Sequence, residues 1–482
     1  MSRFSALLLS FVLLGTAWAG SAFPVNPIQL PDVDKYLRAH LSPEDYALIK
    51  NGSRQEVESY FNGLAGKVDL ESFRAMLNAT PTAPVIQDNW AGVTRYAITA
   101  SLVDTGVDYQ HPFFKNCMWT NEKEVSGQAG VDDDGNGLVD DIHGWNMSKN
   151  NNEIFDYKNL PADEEGRKMI AEEINFLDRL GGGDLFNQEY LMQNITMIIY
   201  FVMNYGGLQE ALQRMEFVAT MSHGTHCSGL MMNGTVSRLH AVRLELGGAS
   251  EQMTEQPELP TQAELDKEAK EFEAMFAYMS KSGVRVVNIS LGSQYSMIEQ
   301  SLTMQGMSSQ EARRIATELF KGQHYVWNYA ISRHPELLFV IAAGNGGGDG
   351  KGDDIDTPYE CTLPAALALD HVVAIAAINR KDNKVAPFSN FGKVSVDVAS
   401  FGVSEKSTVP GGGYALMSGT SMASPNAANA AVRILEINPQ LTPVQVKKIM
   451  MTGITPWVAS VPTASNGFID LNKCLEMAAR SR

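Results

Sequence analysis

From Tyr96 onward the chain alternates short apolar runs with stretches of helical spacing, and this alternation narrows the fold more than any other feature. Tyr96 to Val103, Leu239 to Leu244, Val284 to Leu291, Leu338 to Ala343 and Val372 to Ile378 have strand length and are rich in apolar residues. Ala263 to Ser280, Thr442 to Met451 and Leu471 to Ala479 carry the helical period, and the alanine-rich run Ala427 to Leu435 reads as a buried helix. Strands that alternate with helices predict an α/β fold: a mostly parallel central sheet with helices on both faces. Two helical insertions interrupt it, near 150–215 and 296–333.

The N-terminal part has a different texture. Arg3, the apolar run Ala6 to Ala17 and then Ala17-Trp18-Ala19-Gly20 have the three parts of a signal peptide, predicted at 1–19 with cleavage after Ala19. The competing reading is a short buried helix. No later stretch reaches the length of a membrane span; the nearest, Met197 to Met203, reads as a buried element. The expected product is secreted or periplasmic and soluble. Residues 20–88 are polar with helical spacing and end in a proline-punctuated linker at Pro81 and Pro84. The remainder, 89–482, is expected to be the main domain. A net charge of −17 argues against nucleic-acid binding. Four cysteines in an exported chain allow three full pairings, among which spacing does not choose.

Three short stretches carry chemistry. The first predicted strand ends in Asp104-Thr105-Gly106, and the carboxyl end of a parallel strand is where open α/β sheets place functional groups. Ser222-His223-Gly224-Thr225-His226 puts glycine beside a histidine, where backbone can approach closely. Ser418-Gly419-Thr420-Ser421-Met422-Ala423 places a serine at a loop-to-helix junction, beside unpaired N–H groups. A nucleophilic serine needs a base to take its proton, and the base needs an acid to hold its tautomer.

In this order the three motifs resemble the active-site motifs of the subtilisin-like serine proteases. The resemblance runs from about Ala97 to the C-terminus, interrupted by the two insertions. It implies a peptide-bond hydrolase with Ser421 as nucleophile, His223 as general base and then acid, and Asp104 as its orienter. Ala342-Ala343-Gly344-Asn345-Gly346 resembles the family's oxyanion loop, which makes Asn345 an oxyanion donor and favours this family over the acid-active serine-carboxyl peptidases. Ser290, Leu291 and Gly292 resemble the strand that pairs with substrate backbone, whereas Glu251 to Glu264 replaces the loop expected on the groove's other wall. Cys227 resembles a cysteine of the proteinase-K-like and kexin-like branches, expected to be a buried free thiol under His223, and His226 reads as structural. The implied partners are protein or peptide substrates, with residues 20–88 as a pro-segment that inhibits until removed, or as a retained arm.

Asp132-Asp133-Asp134-Gly135-Asn136-Gly137-Leu138-Val139-Asp140-Asp141 presents oxygen ligands at alternate positions around glycine turns. Asp132, Asp134, Asn136 and Asp140 are candidate calcium ligands; a solvated acidic turn is the other reading, and the chemistry requires no metal. Asp349, Asp353, Asp354 and Asp356 form a weaker second cluster. Two rival functions are a non-catalytic scaffold, which has no need of all four groups, and an ester or lipid hydrolase, which would be expected to carry a Gly-x-Ser-x-Gly elbow.

Overall fold

Burial on both faces of one sheet decides the architecture. The computed structural model describes residues 94–182, 208–244, 259–346, 351–457 and 463–481, together with Pro43. The expected signal peptide, the 20–88 segment apart from Pro43, and the run 197–203 lie outside the described residues.

Eleven strands are used here: β1 (Thr99–Asp104), β2 (Gly144–Asn146), β3 (Arg238–Arg243), β4 (Val284–Ile289), β5 (Leu338–Ala342), β6 (Val372–Ile378), β7 (Val398–Phe401), β8 (Glu405–Val409), β9 (Gly413–Met417), β10 (Ile454–Pro456) and β11 (Gly467–Ile469). Among the described residues, nine of them form one sheet in the order β10-β11-β7-β6-β5-β4-β1-β3-β2. Every pair is parallel except β10 with β11. Side chains along each strand alternate between two cores, as the two-residue period demands. Leu102, Val286, Val340, Val373 and Ile375 enter one core; Val103, Val287, Phe339, Ile341 and Ala374 enter the other. Because both faces are buried, the strands read as apolar runs rather than strict alternation.

The helices are α1 (Glu122–Ser126), α2 (Glu164–Gly182), α3 (Leu208–Met232), α4 (Gln262–Lys281), α5 (Tyr295–Met304), α6 (Ser309–Ile331), α7 (Thr420–Ile437), α8 (Pro443–Thr452) and α9 (Leu471–Arg480). Helix α7 crosses one face against β4, β5, β6 and β7, and its small residues Ala423, Ala427, Ala428 and Ala431 are fully buried. Capping boxes start α4 (Thr261 with Glu264) and α8 (Thr442 with Gln445), each satisfying two otherwise orphaned donors.

The described helices of the two expected insertions pack on the domain to different depths. Helix α5 and the first half of α6 form a small core of their own, from Ile298, Leu302, Ile315 and Leu319. The second half of α6 instead covers the sheet, with Trp327, Ala330 and Ile331 in the second core. Helix α2, in the first insertion, sends Ile170, Ile174 and Phe176 into the main core. Spacing shows that such helices are amphipathic but not what lies beneath them.

Strand order reverses at β1: the chain places β3 on one side of it and β4 on the other. That switch point opens a crevice at the carboxyl ends of the strands, and Asp104, Ser290 and Asn345 all lie at those ends.

Candidate active site

Asp104 ends β1 with its side chain fully buried, and its Oδ1 lies 2.7 Å from His223 Nδ1. The same oxygen accepts from the Thr105 backbone N–H at 2.7 Å, which fixes the carboxylate. His223 sits within α3 rather than on a loop, and Gly224 beside it allows α3 to approach. A Cβ there would stand 2.3 Å from the Gly106 carbonyl and 3.1 Å from Asp104 Oδ1. Thr105 completes the joint, its hydroxyl donating to Thr220 O and accepting from Gly224 N. Burial disfavours a charged His223, but the Asp104 carboxylate beside it favours one, and the net direction is well above the ordinary histidine value.

Ser421 lies in the first turn of α7, buried. Its Oγ donates to the Ser290 carbonyl at 3.2 Å, and His223 Nε2 has no hydrogen-bond partner among the described residues. The carbonyl of Ser421 has an unusual environment with a clear cause. Pro425 stands four residues later and has no N–H to donate back to it. Ser290 Oγ, at 3.0 Å, and Cys227 Sγ, at 3.2 Å, donate to it instead. Cys227 therefore touches both catalytic candidates, since its sulfur is also 3.9 Å from His223 Nδ1. Burial raises the pKa of this thiol. His226 faces away, toward the Ala415 carbonyl at 3.2 Å, and burial lowers its pKa to about 3.

Asn345 follows β5 and is locked to the residue before the serine. Its Oδ1 accepts from Thr420 N at 2.7 Å and from Thr420 Oγ1 at 2.9 Å, which sets the direction of the amide. Gly344 bends the loop at φ +98°, a conformation in which a Cβ would meet Asn390 Nδ2 at 2.6 Å. Ser290, Leu291 and Gly292 line a small pocket beside Ser421, together with Gly344, Asn345, Met297 and Thr362. The stretch 251–258, expected at the groove's other wall, lies outside the described residues.

Several residues given no role from the sequence turn out to support the site. Asn390 holds the loop that carries Asn345, its Oδ1 accepting from Gly346 N and Asp353 N while its Nδ2 donates to Ala343 O. Ser424 and Asn288 tie α7 to β4 at 2.7 Å. Their only sequence signal is a polar residue inside an apolar run, which does not name its partner.

In the acidic loop the structure brings together Glu124, Asp134 and Asp141, with carboxylate oxygens within 4.8 Å of one another. Of the four expected ligands Asp134 alone belongs to this group. Asp132 accepts backbone N–H bonds from Gly135, Asn136 and Gly137, and Asp140 accepts from Gly130. Asn136 reaches the group through its amide, which donates to Asp134 and Asp141. Glu124 was missed because it stands on α1, eight residues before Asp132. The donor set is all oxygen, which fits a hard cation. In the second cluster, Asp349 is outside the described residues; Asp353 accepts from Gln294 and Asp356 from Val394 and Ser395. All four cysteines are free thiols.

A profile of the subtilase family matches residues 96–468. Among curated relatives, subtilisin-like protease 1 of Plasmodium vivax is 23% identical over 415 residues, covering 83% of this chain and 50% of its own length. The chain thus spans about half the length of the curated relatives it matches along most of its course. Alkaline elastase YaB of Bacillus sp. (strain YaB) is 36% identical over 111 residues, 23% of this chain and 26% of that protein. Among solved structures, a cold adapted subtilisin-like serine proteinase is 18% identical with a TM-score of 0.41, covering 82% of this chain and 95% of that one.

Proposed function

The chain belongs to the subtilase family, and from that premise we propose that it is an exported serine endopeptidase that cleaves peptide bonds through an acyl-enzyme on Ser421. The observation that carries this reading is the buried Asp104–His223 pair at 2.7 Å, joined to the Ser421 turn through Cys227. Asp104 holds Nδ1–H and leaves Nε2 as the basic nitrogen. On substrate binding the Ser421 hydroxyl turns from the Ser290 carbonyl to Nε2, which takes its proton as Oγ attacks the scissile carbonyl. The imidazolium, stabilised by Asp104, then returns that proton to the leaving amine. The Ser421 N–H and the Asn345 amide receive the charge that develops on the carbonyl oxygen. Ser290 to Gly292 offer backbone to the substrate, and the pocket beside them takes the side chain before the scissile bond.

We also propose a structural calcium ion held by Glu124, Asp134 and Asp141; it takes no part in the chemistry. The N-terminal segment 20–88 is proposed to inhibit until the enzyme removes it.

Intact-mass and N-terminal analysis of wild type beside Ser421→Ala, both produced with calcium, tests the main reading. Wild type is expected to lose residues up to somewhere near 80–95, a boundary flanking the Pro81–Pro84 linker, while the variant keeps them. If both keep the segment, and a fluorophosphonate does not label Ser421 in wild type, the peptidase reading fails.

A further inference from the structure

We propose that Asp178, on the inserted helix α2, is a positioning residue that fixes the nucleophile loop. The proposal rests on the reading of Ser421 as the nucleophile. The hairpin β8–β9 runs into Ser421 through Ser418, Gly419 and Thr420. One carboxylate clasps the two ends of that hairpin: Asp178 Oδ1 accepts from Ser418 Oγ at 2.6 Å, and Oδ2 accepts from Ser404 Oγ at 2.8 Å. The clasp closes on itself, because Ser404 N donates to Ser418 Oγ at 2.8 Å. Ser404 is held at φ +48°, a region that disfavours a side chain unless its surroundings impose it. Gly419 N then donates to Gly402 O at 2.7 Å, so the residues flanking the clasp are tied directly to each other.

A second link comes from the same face of α2, three residues earlier. Asn175 Oδ1 accepts from Leu416 N at 2.7 Å, taking a backbone donor of β9. Asn175 is 4% exposed, Asp178 3% and Ser418 1%, so water does not replace these partners. A hydroxyl bonded to a buried carboxylate makes a short, directional bond. Two such bonds to one rigid helix restrict where Ser418 can lie, and with it the turn that presents Ser421. Helix α2 is thus part of the wall behind the nucleophile, not a lid over the cleft.

The test compares Asp178→Asn, Asp178→Ala and Ser418→Ala with wild type and with Ser421→Ala. Misplacing a reacting atom by about 1 Å costs about 100-fold in rate. Asp178→Ala and Ser418→Ala are expected to lose about 10- to 100-fold in kcat and in the rate of fluorophosphonate labelling, with KM within about twofold of wild type. Asp178→Asn keeps one acceptor and the side chain's size, and should recover most of the loss. Melting temperatures, with assays run well below them, separate this from unfolding. Wild-type kcat and labelling rates in folded Asp178→Ala and Ser418→Ala would overturn the proposal. So would a change confined to KM, or to melting temperature alone. Retention of cleavage by Ser421→Ala would instead overturn the nucleophile reading on which the proposal stands.

Discussion

Asn345 and His223 show how single side chains here serve two ends at once. The Asn345 side-chain carbonyl accepts from Thr420 N and Oγ1, and its amide is the donor proposed for the oxyanion. Replacing it by alanine should lower kcat about 100- to 1000-fold with little change in KM, about 3 kcal/mol of transition-state stabilisation; that magnitude is the one known for such donors in this family. Steady-state kinetics on a peptide substrate checks it, and a rise in KM alone would remove Asn345 from the oxyanion hole. His223 must be neutral to act as base, and Asp104 holds its pKa above the ordinary value of 6.5. Activity is therefore expected to rise with pH, with an apparent pKa above 6.5, placing the optimum on the alkaline side. The linkage to stability runs the other way. The charged ring is favoured in the folded state, so its contribution is fully present below the unfolded pKa of about 6.5 and disappears as pH rises through the folded value. The difference in melting temperature between wild type and His223→Ala should shrink as pH rises through that range.

At the scale of elements, helices and loops outside the sheet do the positioning. Helix α3 delivers His223 because Gly224 lets it touch the end of β1, and α7 holds Ser421 in its first turn, where Pro425 leaves a carbonyl free for Ser290, just after β4, and for Cys227 of α3. The acidic loop after α1 has the same character: Glu124 accepts from Asp133 N, Asp134 N and Asp140 N, drawing the loop around itself. Three carboxylates brought this close repel one another, which a divalent cation relieves. Calcium at 100 times its dissociation constant should stabilise the fold by about 2.7 kcal/mol, read as a higher melting temperature than in chelator. Glu124→Gln should lose most of that calcium-dependent increment, and Asp132→Asn should keep most of it. Equal loss in both would return the site to the ligands expected from spacing.

The described residues are held by the two cores flanking the sheet and the small α5–α6 core, without covalent cross-links. All four cysteines should react with a thiol reagent under denaturing, non-reducing conditions, and reductant should leave the melting temperature unchanged. A mass lower by two hydrogens per pair would contradict this. Cys227 and Cys474 are buried, their thiols donating to the Ser421 and Gly453 carbonyls, Cys117 and Cys361 are half-buried, and none of the pairings that counting allowed forms. The sheet and its covering helices were legible because burial on both faces writes itself as long apolar runs, and β6, Val372–Ile378, matches its expected limits. Asp104, His223, Asn345 and Ser421 were legible because each stands among glycines or small residues that a close approach requires. Neither signal reaches across the chain. The hairpin β8–β9, the antiparallel pair at the sheet's edge and the place of α2 escaped notice, since their strands are short or partly polar and their partners are distant. Asp178 meets Ser418 across 240 residues, and Glu124 displaces Asp132 from the acidic group. Local sequence determined which segments fold and which residues are the candidates for the chemistry, because periodicity and turn geometry are short-range. Which oxygen meets which donor was decided only by tertiary packing, because that depends on how separate elements come to rest against one another.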